Sequence, residues 1–393
     1  MIMAGLRNRG ITPSEIGHSA GFGRRSRVRR RLLRTAVAAA AAGPWIVRDA
    51  RSSSGLLNLM MWSDYLPPSL IKGFEKETGI TVNHLPYGSD AELINRLKAA
   101  KGRGVDIVSP TNDRRPQWQE LGLLQPWDMS RVPLDRITEP SRDIALSQFS
   151  WDGGNYLIPF IWGTEGLAWR ADKWSRDDAD VSYGDLFHPE VKGRVMGRAY
   201  SMMTGIGLYL DHSGKMHSNR MLDAYTNEES ARRVWDKLTK IAIKQKQWIK
   251  ILWDDAETQV AGFRRNGIVL GQTWDGPANR LRNDGMPIAY RAPKEGALAW
   301  LDGLALSTAA ENVEQAYAFL DYVYRPDIGA LLTNETGYNN VCVDSLDQLT
   351  PQARENFSQA YPGDALSRLW WWPPMPIWYA NLRAEYRDKF IGA

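Results

Sequence analysis

The first part of the chain alternates short apolar runs with segments of helical periodicity. The run Leu56–Trp62 is typical of a buried strand, and Pro67-Pro68 favour the start of a helix because Pro suits a first helical turn. Ser89 and Glu92 form a capping box before a second helix. The predicted order is strand, helix, strand, helix, strand, at residues 56–62, 67–79, 80–85, 89–97 and 105–109. This spacing predicts parallel βαβ units.

A second α/β unit is predicted after residue 158. Its predicted strands lie at residues 158–163, 193–196, 267–271, 287–290 and 303–306, and its predicted helices lie at 222–225, 231–243 and 313–324. The simplest assembly is two α/β lobes, with the chain crossing between them more than once. We expect lobe 1 to contain residues 51–162, lobe 2 to contain 163–287, and residues 288–393 to return to lobe 1. The Trp- and Pro-rich run 370–374 in this C-terminal tail is expected to be irregular.

The first 50 residues differ from the rest in composition. They hold ten Arg, no Lys and two acids, and Arg29-Arg30 with two following leucines precede an Ala-rich stretch at 35–47. This order is typical of a twin-arginine export signal, so we expect residues 1–50 to direct the protein to the periplasm. A basic tail that binds nucleic acid or membrane is the alternative, but such a tail needs no apolar run behind it.

Removal of the signal reverses the net charge. The formal charge of the whole chain is +4, whereas residues 51–393 hold 39 Lys and Arg against 43 Asp and Glu, a charge of −4. A mildly acidic protein suits cationic ligands and argues against nucleic acid as a partner. The single cysteine, Cys342, excludes an internal disulfide. We expect a monomer of roughly two domains after export.

Tryptophan is unusually frequent, and several tryptophans stand beside a carboxylate. The chain has 17 Trp, and the pairs are Trp62 with Asp64, Trp253 with Asp254 and Asp255, Trp274 with Asp275, and Trp300 with Asp302. A Trp face attracts an organic ammonium ion through its quadrupole, and a carboxylate binds it through charge-assisted hydrogen bonds. The repeated pair therefore predicts a site for a small cation. The alternative is that the rings fill the core.

The order of several motifs resembles the spermidine/putrescine-binding proteins of ABC importers. The similar segments are WSDY at 62–65, FEKETGI at 74–80, VDIV at 105–108, LGLL at 121–124, IPFIWG at 158–163, WDG at 274–276, PKEG at 293–296 and ETGY at 335–338. The resemblance extends from about residue 56 to 340. It implies a two-lobed periplasmic binding fold that closes on its ligand, and an ABC permease in the inner membrane as partner.

The resemblance also implies a ligand site in the cleft between the lobes. The first-lobe wall is expected at Trp62-Ser63-Asp64-Tyr65, and Trp300 with Asp302 is expected near the crossover. The second-lobe wall is expected at Trp253, Asp254 or Asp255, Trp274 and Asp275. Two carboxylates also have a structural interpretation: Asp64 as a cap of the helix at Pro67, and Asp275 as part of the turn at Gly276-Pro277.

The chain departs from the polyamine binders at two places. Thr111 and Asn112 follow the third strand where those proteins carry Ser or Thr and Tyr, and Arg198 stands where an acid is expected. Arg pairs bidentately with a carboxylate, so a zwitterion such as an opine or an amino acid derivative is an alternative ligand. Whether Arg198 faces the cleft or solvent is left open by the sequence.

The sequence contains no motif for a nucleotide, a metal ion or another cofactor, and no catalytic site is predicted. The primary hypothesis is therefore the substrate-binding subunit of an ABC importer for a polyamine of the putrescine or spermidine class. A periplasmic carbohydrate-active protein is a further alternative, since clefts with Trp and carboxylates also hold sugars.

Overall fold

The computed structural model describes residues 55–176 and 180–393. The predicted export signal lies outside the described residues. The described strands are Leu56–Trp62 (β1), Thr81–Tyr87 (β2), Ile107–Val108 (β3), Leu124–Gln125 (β4), Ser150–Trp151 (β5), Gly154–Asn155 (β6), Ile158–Arg170 (β7), Val195–Gly197 (β8), Ile249–Leu252 (β9), Leu270–Trp274 (β10), Ile288–Arg291 (β11), Leu298–Ser307 (β12), Asn339–Asn340 (β13) and Trp370–Trp371 (β14).

The described helices are Pro68–Thr78 (α1), Asp90–Ala100 (α2), Arg115–Leu121 (α3), Glu139–Gln148 (α4), Ala199–His212 (α5), Glu228–Lys244 (α6), Ala256–Arg265 (α7), Asp275–Asn283 (α8), Val313–Val323 (α9), Pro326–Thr336 (α10), Pro351–Ala360 (α11) and Ile377–Gly392 (α12). None of these helices has the length and apolar character needed to cross a membrane.

One part of the main sheet is formed by the first three strands. Strand β1 lies between β2 and β3 and pairs with both in parallel, which confirms the predicted parallel βαβ units. Helix α1 ends because Gly79 adopts a left-handed conformation with φ 72°, which Gly tolerates without a steric penalty. Helix α2 begins where the Ser89 hydroxyl accepts a hydrogen bond from the Glu92 backbone N–H, as the sequence predicts.

Another part of the sheet is formed by strands from the second unit. Strands β10, β8 and β9 are parallel neighbours, and β7 pairs with β10 and β11 in antiparallel fashion. The predicted helix at 231–243 is confirmed as part of α6. Residues 222–225 form only a single 3-10 turn. Buried side chains of both parts belong to one extended hydrophobic cluster.

Two long strands, β7 and β12, join the two parts of the sheet. They pair in antiparallel fashion, from Leu298 opposite Glu165 to Leu304 opposite Ile158, and the pairing skips Phe160 at the step between Asp302 and Gly303. Such a bulge increases the local twist. A side chain at Gly303 would clash, because its Cβ would lie 2.5 Å from the Ile158 carbonyl oxygen. The bulge therefore lies where the strands pass from one part of the sheet to the other.

Residues 288–393 contact both parts of the sheet, and their helix α9 packs against β1. Strand β11 pairs with the end of β7, and helix α12 packs against α5 and α6. The prediction that residues 370–374 are irregular is wrong at Trp370 and Trp371, which form β14 parallel to β12. The Trp370 N–H donates to the Ala297 carbonyl at 2.9 Å, so this backbone is held by the sheet. The lobe boundaries at residues 162 and 287 stay a prediction.

Candidate ligand-binding site

A first cavity lies where β1, β10 and β12 come together. Its volume is about 40 Å³, room for about three water molecules, so a ligand the size of a diamine requires its walls to move apart. Its walls contain five carboxylates, three guanidinium groups and seven aromatic rings. The lining residues are Trp62, Asp64, Tyr65, Asp90, Thr111, Asp113, Arg114, Glu165, Arg198, Tyr200, Trp274, Trp300, Asp302, Tyr338, Trp372 and Arg383.

Aromatic rings form one wall of the first cavity. The rings of Tyr65 and Trp300 are nearly parallel, with centroids 6.2 Å apart and an interplanar angle of 12°. Trp62 at the end of β1 meets Trp274 at the end of β10 edge to face, with centroids 6.1 Å apart and an angle of 79°. Among the described residues, the indole N–H groups of Trp62 and Trp300 have no hydrogen-bond acceptor.

Asp302 is a buried carboxyl beside these rings. It lies two residues after Trp300 in β12, so both side chains point to the same face of the strand. The Tyr65 hydroxyl donates a short hydrogen bond to Asp302 Oδ2, whereas Oδ1 is buried and has no partner in the described part of the chain. Burial holds the pKa of the Asp302 carboxyl well above its usual range. The Thr111 hydroxyl is near enough to lower the pKa of Asp302, but its hydrogen bond goes to Asp90 at 3.2 Å, so Oδ1 of Asp302 keeps no donor of its own among the described residues.

A second carboxyl, Asp64, is held next to Asp302 through aromatic side chains. The Tyr338 hydroxyl donates to Asp64 Oδ2 at 2.8 Å, and the Tyr338 ring contacts both Tyr65 and Trp300. Burial raises the pKa of Asp64 above its usual value. Asp64 does not cap α1, because the cap position is occupied by Pro67 without a side-chain hydrogen bond. The carboxyls of Asp64 and Asp302 thus form an acidic end of the first cavity.

Two guanidinium groups of the cavity lining, those of Arg198 and Arg383, gather around Tyr200. Arg198 is 7% exposed, so it faces the cavity rather than solvent. Its guanidinium carbon lies 4.8 Å from the Tyr200 ring centre and 5.2 Å from that of Trp274. Arg383 of α12 contacts the same Tyr200 ring at 4.2 Å. We call Arg198, Arg383, Tyr200 and Trp372 the arginine end.

The remaining acids near the arginine end already have partners. Arg114 lies 3.1 Å from an oxygen of Asp90 and 3.4 Å from an oxygen of Asp113. Glu165 of β7 accepts hydrogen bonds from the Gln272 amide and, at 3.2 Å, from the Trp274 indole. Glu165 also lies 4.0 Å from Arg198. These three carboxylates therefore have less capacity for a ligand than Asp302 has.

A second, larger cavity of about 610 Å³ borders the first near Gly163. A Cβ at Gly163 would touch both Trp300 of the first cavity and Asp275 of the second. Asp275 is buried, which raises its pKa to about 7. Its oxygens accept from the Gly276 N–H, the Asn339 amide and the Tyr361 hydroxyl, each at 3.0 Å. Asp275 is the first residue of α8, so Gly276 and Pro277 belong to the first turn of that helix and not to the separate turn that the alternative interpretation expected.

The family was identified by comparison with known proteins. Residues 69–357 match the family described as bacterial extracellular solute-binding protein. The chain belongs to this family. Family membership confirms the resemblance found in the sequence and supports the interpretation of the chain as a binding protein rather than an enzyme.

Two relatives and one solved structure illustrate the similarity. The spermidine/putrescine-binding periplasmic protein of Escherichia coli K12 is 27% identical over 304 residues, 77% of this chain and 81% of the relative. The putrescine/agmatine-binding protein of Pseudomonas aeruginosa PAO1 is 26% identical over 369 residues, 90% and 95% of the two chains. The spermidine/putrescine substrate-binding protein PotD of Streptococcus pneumoniae superposes with a TM-score of 0.67 at 21% identity, over 86% and 98% of the two chains. The predicted two-lobed fold is thereby confirmed.

Of the residues that were predicted to bind the ligand, eight are part of the lining of the first cavity of this solute-binding protein. They are Trp62, Asp64, Tyr65, Thr111, Arg198, Trp274, Trp300 and Asp302. Their contact with a ligand stays a prediction.

Six predicted residues lie outside the lining of the first cavity. Ser63 is exposed, and the buried Asn112 accepts a hydrogen bond from the Leu301 backbone N–H. Trp253 packs against Trp274 from behind, with ring centroids 4.9 Å apart. Asp275 lines the second cavity.

The two remaining carboxylates face away from the cavity wall. The side chain of Asp254 is 84% exposed and lies 3.5 Å from Arg198 Nε. Asp255 is the N-cap of α7, because its carboxylate accepts from the Thr258 N–H and hydroxyl.

Eight lining residues were not predicted from the sequence. They are Asp90, Asp113, Arg114, Glu165, Tyr200, Tyr338, Trp372 and Arg383. Glu165 had a signal, because it is a charged residue inside the long, otherwise apolar strand β7. Tyr338 lies in one of the family-like segments. Arg383 had no local signal, since Arg on a helix is usually solvated.

Proposed function

We propose that the protein is the substrate-binding subunit of an ABC importer and captures an organic amine of the polyamine class. In this proposal the ligand's terminal ammonium binds Asp302, and its methylene chain packs against Trp62, Tyr65 and Trp300. A permease of the inner membrane receives the ligand.

The unsatisfied Oδ1 of Asp302 is the observation that carries the proposal. A buried acceptor without a donor is costly, and an ammonium supplies both donors and a compensating charge. The Tyr65 hydroxyl stays a donor because burial raises its pKa well above the usual range. It therefore orients the carboxyl and leaves Oδ1 directed to the ligand.

The relatives support the choice of an amine. The names of the two relatives above include spermidine, putrescine and agmatine, each of which carries terminal cationic groups. The surrounding rings add cation–π attraction, which is worth about 2 kcal/mol when the cation is desolvated.

Isothermal titration calorimetry of the exported protein tests the proposal. Putrescine and spermidine are expected to bind. When the ligand concentration is 100 times the dissociation constant, the free energy of unfolding is expected to rise by roughly 2.7 kcal/mol. Glucose and a nitrophenyl glycoside serve as comparison ligands. Binding or turnover of a sugar without binding of any amine would favour the carbohydrate-active alternative.

Export through the twin-arginine route forms part of the same proposal. Replacement of Arg29 and Arg30 by Lys is expected to leave the precursor in the cytoplasm, as followed by cell fractionation and immunoblotting. Normal appearance of the variant in the periplasm would show that another route exports the protein.

A further inference from the structure

Helix α12 supplies the first cavity with a guanidinium group that has no ionic partner. Arg383 is 7% exposed and lines the cavity, with its guanidinium carbon 4.2 Å from the Tyr200 ring centre and 5.8 Å from that of Trp372. Within residues 55–176 and 180–393, no carboxylate lies within 4.0 Å of Arg383 and no acceptor forms a hydrogen bond with it. Its close contacts among the described residues include two aromatic faces, and its charge also acts on Asp113, which pairs with Arg114.

A guanidinium stays charged at any physiological pH, so its burial requires compensation. The nearby Asp113 already pairs with Arg114, and Glu165 is held by Gln272 and Trp274. Arg383 therefore lacks an anionic acceptor.

Arg198 lies over the same Tyr200 ring and is only weakly paired. Its Nε is buried without a hydrogen-bond partner among the described residues, and its nearest carboxylates are at 3.5 Å and 4.0 Å. Two guanidinium groups thus flank one tyrosine ring, each with N–H donors available. This geometry suits a carboxylate, which accepts forked hydrogen bonds from Arg.

We propose that Arg383 and Arg198 bind a carboxylate of the solute, whose ammonium binds Asp302. The preferred ligand is then a zwitterion, an amine with a carboxylate at its far end, rather than a plain diamine. The inference rests on the proposed function, because it takes amine binding at Asp302 as its starting point.

The C-terminal segment contributes two residues to the lining of the first cavity. Trp372 and Arg383 lie beyond residue 357, where the match to the family ends, yet both line the cavity. Helix α12 is held in place by α5 and α6, so Arg383 is presented on a packed element. The acid at Asp302 and the guanidinium at Arg383 therefore come from distant parts of the chain.

Matched pairs of ligands test the proposal directly. Putrescine and 4-aminobutanoate have the same four-carbon chain and differ at one terminus, as do cadaverine and 5-aminopentanoate. We expect the wild-type protein to bind at least one amino acid more tightly than its diamine, as measured by titration calorimetry. In Arg383→Gln, affinity for that amino acid is expected to fall by at least about tenfold, and affinity for the diamine to stay the same or rise.

Arg387→Gln is the matched control. Arg387 lies one helical turn further along α12, pairs with Asp388, and is exposed. Its substitution is expected to change neither affinity. Arg383→Lys is a second variant, which keeps the charge but loses the forked geometry. Its affinity for the amino acid is expected to lie between those of wild type and Arg383→Gln.

The outcomes separate this inference from the proposed function. If diamines bind more tightly than both amino acids, or if Arg383→Gln weakens amino acid and diamine equally, the inference is overturned while amine binding stands. If no diamine and no amino acid binds, the proposed function itself fails. Should Arg383→Gln not fold, the order of wild-type affinities within the two pairs still decides.

Discussion

The two cavities that meet near Gly163 differ in size and in the state of their carboxyls. The second cavity is about 610 Å³ and the first about 40 Å³, yet the carboxyl of the larger one, Asp275, has three donors for its oxygens. The carboxyl of the smaller one, Asp302, has an oxygen without any described partner. Both are buried, and burial raises both pKa values. The two carboxyls therefore differ in whether their oxygens have donors, and this difference is the basis of the proposal that Asp302 binds the ligand.

The largest expected effect is the loss of amine binding in Asp302→Asn. The amide keeps the shape of the side chain and can still accept from Tyr65, but it no longer offers a charge to the ligand. We expect at least about 100-fold weaker binding of the preferred amine, or roughly 3 kcal/mol, by titration calorimetry. The ligand-free variant is expected to be as stable as wild type or more so, because a buried carboxyl is removed. Asp143→Asn, at a carboxylate that is 67% exposed and outside the cavity lining, is the control.

Asp275→Ala is expected to act on stability instead. Removal of the carboxyl leaves the Gly276 N–H, the Asn339 amide and the Tyr361 hydroxyl without their acceptor. Each costs about 1 kcal/mol or more, so the free energy of unfolding is expected to fall by about 3 kcal/mol in urea denaturation. Amine affinity at a temperature where the variant is folded is expected to stay close to wild type. A large loss of affinity without a loss of stability would contradict the distinction between the two carboxyls.

The pH dependence of binding sharpens the comparison further. The pKa of Asp302 is raised in the empty protein, so below that pKa the carboxyl is protonated and must release its proton when an ammonium binds. Affinity is expected to rise with pH until the raised pKa is passed, by up to about tenfold per pH unit. Calorimetry in buffers of different ionisation enthalpy counts the released proton. In Asp302→Asn this release is expected to disappear.

The contribution of Asp275 to stability is expected to fall with rising pH, whereas the affinity at Asp302 is expected to rise. The folded pKa of Asp275, about 7, lies above its ordinary value, so between the two values the folded state binds more protons than the unfolded state. The free energy of unfolding due to this group is therefore expected to decrease as pH rises from about 4 to about 7. Urea denaturation of wild type and Asp275→Ala across this range measures the difference.

The smallest effect is expected at Asp255, which the sequence also placed in the site. Asp255→Ala removes the N-cap of α7 and is expected to lower the free energy of unfolding by about 1 kcal/mol. Affinity is expected to be unchanged. Weaker amine binding in this variant, with normal stability, would extend the site beyond the first cavity.

The sequence was sufficient for the parts of the fold that depend on local pattern. The strand at β1, the Pro start of α1 and the Ser89 N-cap of α2 each follow from neighbouring residues. Trp300 and Asp302 were predicted as a pair because a Trp stands close to a carboxylate in the sequence, and the structure places both on one face of β12. Strand β14 was missed because its partner, β12, lies some 70 residues away and its own sequence is rich in Trp and Pro.

The arrangement of the site depends on contacts that no local pattern contains. Tyr65 and Asp302 are 237 positions apart, and only the packed structure shows that they share a hydrogen bond. The pairs Trp253 with Asp254 and Trp274 with Asp275 looked equivalent to Trp62 with Asp64. Packing gives these pairs different surroundings. Trp253 packs against Trp274 outside the lining of the first cavity, and Asp275 contacts Tyr361 and Asn339.

The bulge between β7 and β12 has a consequence for protein engineering. Because Asp302 stands at the bulge, where the two parts of the sheet are joined, the same residues shape the acidic end of the cavity and the connection between the two parts of the sheet. Substitutions there are expected to change ligand choice and the movement of the two parts together. Arg383 lies on a terminal helix outside this connection. A biosensor whose specificity is to be retuned without disturbing its closure should therefore be mutated at the arginine end.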